Sequence, residues 1–192
     1  MGVRFDNEEQ RFVFDFEHDG AEDIVSLTGD GYQVEAFGKC FYYGYEFSEQ
    51  TEGAVRTAFI KYVKFSPSLQ DKPDLTQFIQ KAINNLSHKV NLYDYDLVVM
   101  PESTSRVNQY MLRYIYRFAQ PTLRKMGDIL AKPMNEELCR TIREQNVLVI
   151  DDVATSGSTL NEVLRTLRIL NDDNQITIFS LIGRKDLMAE TA

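Results

Sequence analysis

The run Val147-Leu148-Val149-Ile150-Asp151-Asp152-Val153-Ala154-Thr155-Ser156-Gly157-Ser158-Thr159-Leu160 decides how the rest of the chain is read. Four apolar residues with no polar interruption form a strand buried on both faces, the pattern of a parallel sheet. Two carboxylates close it. A turn of small hydroxyl residues around Gly157 then opens into Leu160, Val163, Leu164, Leu167 and Leu170, which recur at the spacing of an amphipathic helix. A small-residue turn at a helix N-terminus offers unengaged backbone N–H groups and the positive end of the helix dipole, which together suit a phosphate. Thr155, Ser156, Ser158 and Thr159 add hydroxyl donors. Asp151 and Asp152 would repel that phosphate, so they accept hydrogen bonds from sugar hydroxyls beside it or hold a hydrated Mg2+, which favours oxygen ligands. A purely local reading covers part of the pattern: Thr159 with Glu162 three residues on is a capping box.

Outward from this stretch, apolar strands at Asp96 to Met100, Ile129 to Ala131 and Ile176 to Ile182 alternate with a helix carried by Val107, Met111, Tyr114, Ile115 and Phe118. Strand and helix in repetition predict an α/β fold with a parallel sheet flanked by helices. In such sheets ligands bind beyond the carboxyl ends of the strands. Upstream, Leu75, Phe78, Ile79, Ala82, Ile83 and Leu86 predict a helix, as do Ala54, Val55, Ala58, Phe59 and Tyr62, with Ser66-Pro67 and Lys72-Pro73 punctuating the join. Residues 11 to 47 are rich in aromatics in partial alternation. Phe12, Phe14 and Phe16 share one face, and Thr28-Gly29-Asp30-Gly31 reads as a hairpin turn. Phe41-Tyr42-Tyr43-Gly44-Tyr45 reads as hairpin core, or as an aromatic wall above a sugar. The expected organisation is a small antiparallel β hood over residues 1–60 and an α/β core over 61–192, together one compact domain.

The composition narrows the classes. The chain has 192 residues, 43% of them apolar and 26% charged, which is ordinary for a globular protein and excludes disorder or a fibrous repeat. A net charge of -8 argues against nucleic-acid partners held through their phosphate backbone. Cys40 and Cys139 lie far apart, so neither a disulfide framework nor a zinc ribbon can be written. His18 and His88 have no neighbours at metal-ligand spacing and read as surface groups. No apolar run is long enough to cross a bilayer, and the first ten residues have no signal-peptide core, which predicts a cytoplasmic protein. Walker loops, serine nucleophile elbows and HExxH are absent from the sequence.

Residues 147–160 resemble the PRPP-binding loop of the type I phosphoribosyltransferases. In that family two acids after a hydrophobic strand contact the ribose 2- and 3-hydroxyls, and the small-residue turn wraps the 5-phosphate. The resemblance implies these roles for Asp151 and Asp152 and for Thr155, Ser156, Gly157, Ser158 and Thr159. It also implies a Mg2+ cofactor, with PRPP and a nitrogenous base as substrates and pyrophosphate as a product. Pro101-Glu102-Ser103-Thr104-Ser105-Arg106 falls where the family contacts pyrophosphate, so Ser103, Thr104, Ser105 and Arg106 are candidates for that anion. Arg106 suits it by its fork of donors. The serines and threonine read equally well as a helix N-cap. Lys132, at the end of the strand expected before Pro133, is a further candidate for pyrophosphate by resemblance and a solvated loop lysine otherwise.

The match covers residues 90 to 184, and three features depart from the family. The segment between Lys132 and Asn146 is short and reads as a helix over Asn135 to Glu144, where many members carry a long closing loop. Thr155 stands where the 6-oxopurine enzymes place an acid. The chain runs only about ten residues past Ile182, less than the segment that covers the base in purine enzymes. The general layout is weakly similar to ComF-type members, without their zinc ribbon. Two functions follow: a Mg2+-dependent phosphoribosyltransferase, or a regulatory protein of the same fold that senses PRPP or a nucleotide. The aromatic antiparallel unit offers a face for a second copy of the chain.

Overall fold

The structure, a computed structural model, describes residues 2–6, 11–15, 22–25, 27–36, 39–46, 73–101, 105–117, 122–125, 142–154, 158–170 and 172–183. Strands β1 (Gly2–Asp6), β2 (Arg11–Asp15) and β3 (Glu22–Val25) pair antiparallel in a sheet of their own. Strands β4 (Leu27–Ala36) and β5 (Lys39–Glu46) are also antiparallel, but β5 pairs in parallel with a later strand and so joins the main sheet. The hairpin turn expected at Gly29 to Gly31 is not there. Those residues lie inside β4, at a register shift between Leu27 and Tyr32, and the chain reverses between Ala36 and Lys39 instead. Two glycines flanking Asp30 suit a bulge as well as a turn, because both tolerate backbone that a side chain would strain.

Helix α1 (Pro73–Lys89) begins on proline, whose fixed φ and missing N–H suit the first helical position. All six apolar positions that mark its period, Leu75, Phe78, Ile79, Ala82, Ile83 and Leu86, are buried. A short 3-10 turn at Leu92–Asp94 leads into β6 (Leu97–Met100), then α2 (Arg106–Ile115), β7 (Thr122–Lys125), β8 (Asn146–Val153), α3 (Ser158–Leu170) and β9 (Gln175–Gly183). The main sheet runs β4-β5-β9-β8-β6-β7, with every pairing parallel except β4 with β5.

One strand is unexpected, one expectation differs from the structure, and others fall outside the described residues. The first described strand after α2 is Thr122–Lys125, a segment of mixed polarity that alternation does not reveal, outermost among the described strands of the main sheet. The strand expected at Ile129 to Ala131, the helix over Ala54 to Tyr62, and Lys132 fall outside the described residues. The helix expected to reach Glu144 does not do so: Ile142 to Glu144 form a bend, and Glu144 has a φ of 51°, a left-handed value that ends any right-handed helix.

The topology explains which helix lies on which face. From β6 the chain moves outward to β7, and from β8 it moves the opposite way to β9. Parallel crossovers are right-handed as a rule, which puts α2 and α3 on opposite faces. The core is accordingly split. On one side α1 and α2 bury Phe78, Ile79, Met111 and Leu112 against Val98, Leu148 and Ile150. On the other, α3 buries Val163, Leu164 and Leu167 against Val99, Val147 and Val149.

Asn174 fastens the entry of β8 to that of β9. It is 3% exposed, its Oδ1 accepts the Gln145 N–H at 3.1 Å, and its Nδ2 donates to the Ile142 carbonyl at 3.1 Å. Asn174→Ala removes both bonds and should cost roughly 2 kcal/mol, as for other buried hydrogen-bond partners. The expected result is a lower urea midpoint with an unchanged m-value. A midpoint equal to that of the wild type would mean that neither bond persists in solution.

Candidate ligand site at the carboxyl end of the sheet

Because the chain leaves β6 and β8 in opposite directions, a crevice is expected beyond their carboxyl ends, the usual ligand position in doubly wound sheets. Asp151 and Asp152 stand there. They lie within β8 rather than after it. The β9 ladder continues alongside them, with Asp151 opposite Ser180, Val153 opposite Ile182, and the Ala154 N–H donating to the Ile182 carbonyl at 2.9 Å. The pairing with β6 reaches only Val99 with Val149, so both acids lie past the last bridge on the β6 side.

Both carboxylates are buried, Asp151 at 6% and Asp152 at 4% exposure. Oδ1 of Asp151 accepts the Asp152 N–H, and Oδ1 of Asp152 accepts the Val153 N–H, each at 2.9 Å. The following peptide therefore holds each side chain in place. Strand alternation sends them to opposite faces of the sheet. Asp151 continues the row of Val147 and Val149 on the α3 side, and Asp152 continues the row of Leu148 and Ile150 on the side of α1 and α2. The sequence does not show this division, since two adjacent acids after a strand look like one cluster.

Of the phosphate turn, Thr155, Ser156 and Gly157 lie outside the described residues. Helix α3 begins at Ser158, so exposed Thr159 stands inside its first turn rather than at the N-cap that a capping box with Glu162 requires. In the β6 loop, Ser103 and Thr104 lie outside the described residues. Ser105 occupies the N-cap of α2, is fully buried, and makes no side-chain capping bond. Arg106 is the first residue of α2 and is exposed. Asp151, Asp152, Ser105, Arg106 and Thr159 therefore all belong to the end of the sheet where β6 and β8 terminate, with Lys132 not described.

Two polar side chains escaped the sequence reading. Ser180, opposite both Asp151 and Tyr43 in the sheet, is fully buried and its hydroxyl has no hydrogen-bond partner. Asn108, in the first turn of α2, is fully buried with both amide atoms unpartnered. Neither belongs to a motif, and neither stands out among its neighbours in the chain. Among the described residues, no group of three His, Cys, Asp or Glu could by itself hold a metal ion, and no helix is long and apolar enough to cross a membrane.

Three solved structures that overlay on the chain are phosphoribosyltransferases. One is a hypoxanthine-guanine-xanthine phosphoribosyltransferase, at 15% identity and a TM-score of 0.39, the overlay covering 57% of this chain and 62% of that one. A purine phosphoribosyltransferase from Pyrococcus horikoshii overlays at 14% identity and a TM-score of 0.39, over 57% of this chain and 84% of that one. An HGPRT-ase from Leishmania tarentolae in complex with GMP does so at 11% identity and a TM-score of 0.33, over 57% and 66%. The chain thus spans less than two thirds of the first and third. No family model and no curated protein matches the sequence.

Proposed function

We propose that the chain binds PRPP at the carboxyl end of β8 and transfers its phosphoribosyl group to a nitrogenous base, releasing pyrophosphate. The observation that carries this reading is the pair of buried, backbone-held carboxylates at the switch point, followed at once by Thr155-Ser156-Gly157-Ser158-Thr159 and the start of α3. A hydroxyl-rich ligand fits the carboxylates, and its phosphate fits the helix N-terminus. Ser103 to Arg106 and Lys132 are the residues for the departing pyrophosphate.

The donor set also suits Mg2+. This ion keeps several waters and is commonly held by one or two carboxylates together with substrate phosphates, so it needs no cage of three protein ligands. Asp152, or Asp151 on the opposite face of β8, would hold it, and when bound it would neutralise charge on the leaving pyrophosphate. The protein's own contribution is orientation. Carboxylates fixed by the next peptide keep the ribose hydroxyls in place while the bond from C1 to the pyrophosphate oxygen breaks and the bond from the base nitrogen to C1 forms.

A second reading, a sensor that binds PRPP without turnover, draws on one observation. Asn174 holds the Ile142 carbonyl and the Gln145 N–H, so only residues 133–141 separate Lys132 from the anchored entry of β8. That length is short for a lid that excludes water from an oxocarbenium-like centre. Calorimetric titration with PRPP, with and without Mg2+, tests binding, and pyrophosphate release with a panel of bases tests turnover. Mg2+-dependent binding with base-dependent release is the expected result. Binding without release would establish the sensor, and no binding would overturn both readings.

A further inference from the structure

We infer that Asn108 is a sugar-binding residue of this site, its side-chain amide left unpaired in the free protein so that a ribose hydroxyl can take it up. The inference rests on the PRPP-binding reading and adds a residue that no motif marks.

A buried carboxamide carries two N–H donors and a carbonyl acceptor, and leaving such groups unpaired away from water costs about 1–3 kcal/mol each. Asn108 is fully buried and neither its Nδ2 nor its Oδ1 has a partner. An apolar residue there would stabilise the free protein, so the amide needs another account.

Its position supplies one. Asn108 precedes Met111, Leu112 and Ile115 by three, four and seven residues, which puts it on the same face of α2. Those three pack in the cluster that holds Leu148 and Ile150, the strand residues whose row Asp152 continues. Helix side chains lean toward the helix N-terminus, and α2 starts just beyond the carboxyl end of β6. Asn108 therefore leans toward the end of the sheet where Asp152 stands, on the same side of β8.

The chemistry of the amide selects the ligand group. Pyrophosphate oxygens only accept hydrogen bonds, which would leave Oδ1 of Asn108 unsatisfied. A hydroxyl both donates and accepts, so a sugar diol satisfies the amide and can donate its remaining proton to the Asp152 carboxylate. Ser180 is another described residue whose buried hydroxyl lacks a partner, but a single hydroxyl is cheaper to bury unpaired and constrains a ligand less.

The test uses Asn108→Leu, which keeps the branched shape of the side chain, and Asn108→Ala, which cannot overpack. Titrations with PRPP plus Mg2+, ribose 5-phosphate and pyrophosphate plus Mg2+ are combined with thermal unfolding of the free proteins. The expected result is that Leu raises the unfolding midpoint of the free protein. Both variants should weaken PRPP and ribose 5-phosphate by roughly tenfold or more, as two lost hydrogen bonds would, with pyrophosphate binding unchanged. Wild-type affinity for ribose 5-phosphate in both variants would overturn the inference while leaving PRPP binding intact. So would weakening confined to pyrophosphate, or a lowered midpoint for the Leu variant, which would reveal a structural partner for the amide. If the wild type itself bound neither PRPP nor ribose 5-phosphate, the site reading would fail and this inference with it.

Discussion

Replacing Asp151 and Asp152 together by Asn is expected to lower phosphoribosyl transfer by roughly a thousandfold or more, the scale on which removing preorganised charge acts in other active sites. The fold should survive. In the structure Oδ1 of each side chain accepts the next backbone N–H, and an Asn carbonyl oxygen of the same shape can accept the same bond. What Asn cannot supply is negative charge, and an ionised acceptor makes hydrogen bonds roughly twice as strong as a neutral one. The changes therefore separate structural from chemical roles. Circular dichroism and thermal unfolding should report a native protein within about 1 kcal/mol of wild-type stability. Initial rates of pyrophosphate release should fall to background. Turnover persisting in a folded double variant would remove the carboxylates from the mechanism. The single variants add information, because the two acids lie on opposite sides of β8. Asp151→Asn and Asp152→Asn should differ in their effect on ribose 5-phosphate affinity, which two equivalent members of one cluster would not.

The largest stability loss from a single methyl group is expected at Gly44. It lies on β5 between Tyr43, opposite Ser180, and Tyr45, opposite Ile182, with its α-carbon turned toward α1. A Cβ there would stand 2.5 Å from the Cβ of Ala82 and 3.0 Å from the Leu181 carbonyl oxygen. Real side chains do not approach so closely. Ala82 is already small, and the carbonyl belongs to the sheet, so α1 as a whole would have to move away from β5. That movement opens the interface formed by Phe78, Ile79 and Ile83. Overpacking of this kind costs typically 1–3 kcal/mol, and the Ala82 methyl on one side with the Leu181 carbonyl on the other places Gly44→Ala at about 3 kcal/mol. Urea unfolding measures it. A cost below about 1 kcal/mol would mean that α1 and β5 are less tightly apposed than the structure has them.

Much of this architecture can be read along the chain. The apolar run at Val147 to Ile150 and the period of Leu75 to Leu86 identify a buried strand and an amphipathic helix, since both signals are local and strong. Strand Thr122–Lys125 escapes because, outermost among the described strands, it has no need of a continuous apolar run. The glycine pair at residues 29 and 31 misleads because a turn and a bulge call on the same backbone freedom.

The chemical character of the candidate site, two acids followed by a small hydroxyl turn and a helix, is a property of residues 151–160 themselves, because each ligand group they suit is recognised by neighbours in the chain. Its geometry is not local. That the crevice lies between β6 and β8 follows from strand order, and that Asp151 and Asp152 part to opposite faces follows from β8 continuing through them along β9. Asn108 joins the site across about forty residues because α2 covers the face of the sheet on which Asp152 stands. The sequence alone names the groups available to a ligand, whereas pairing and packing between distant segments decide which of them meet.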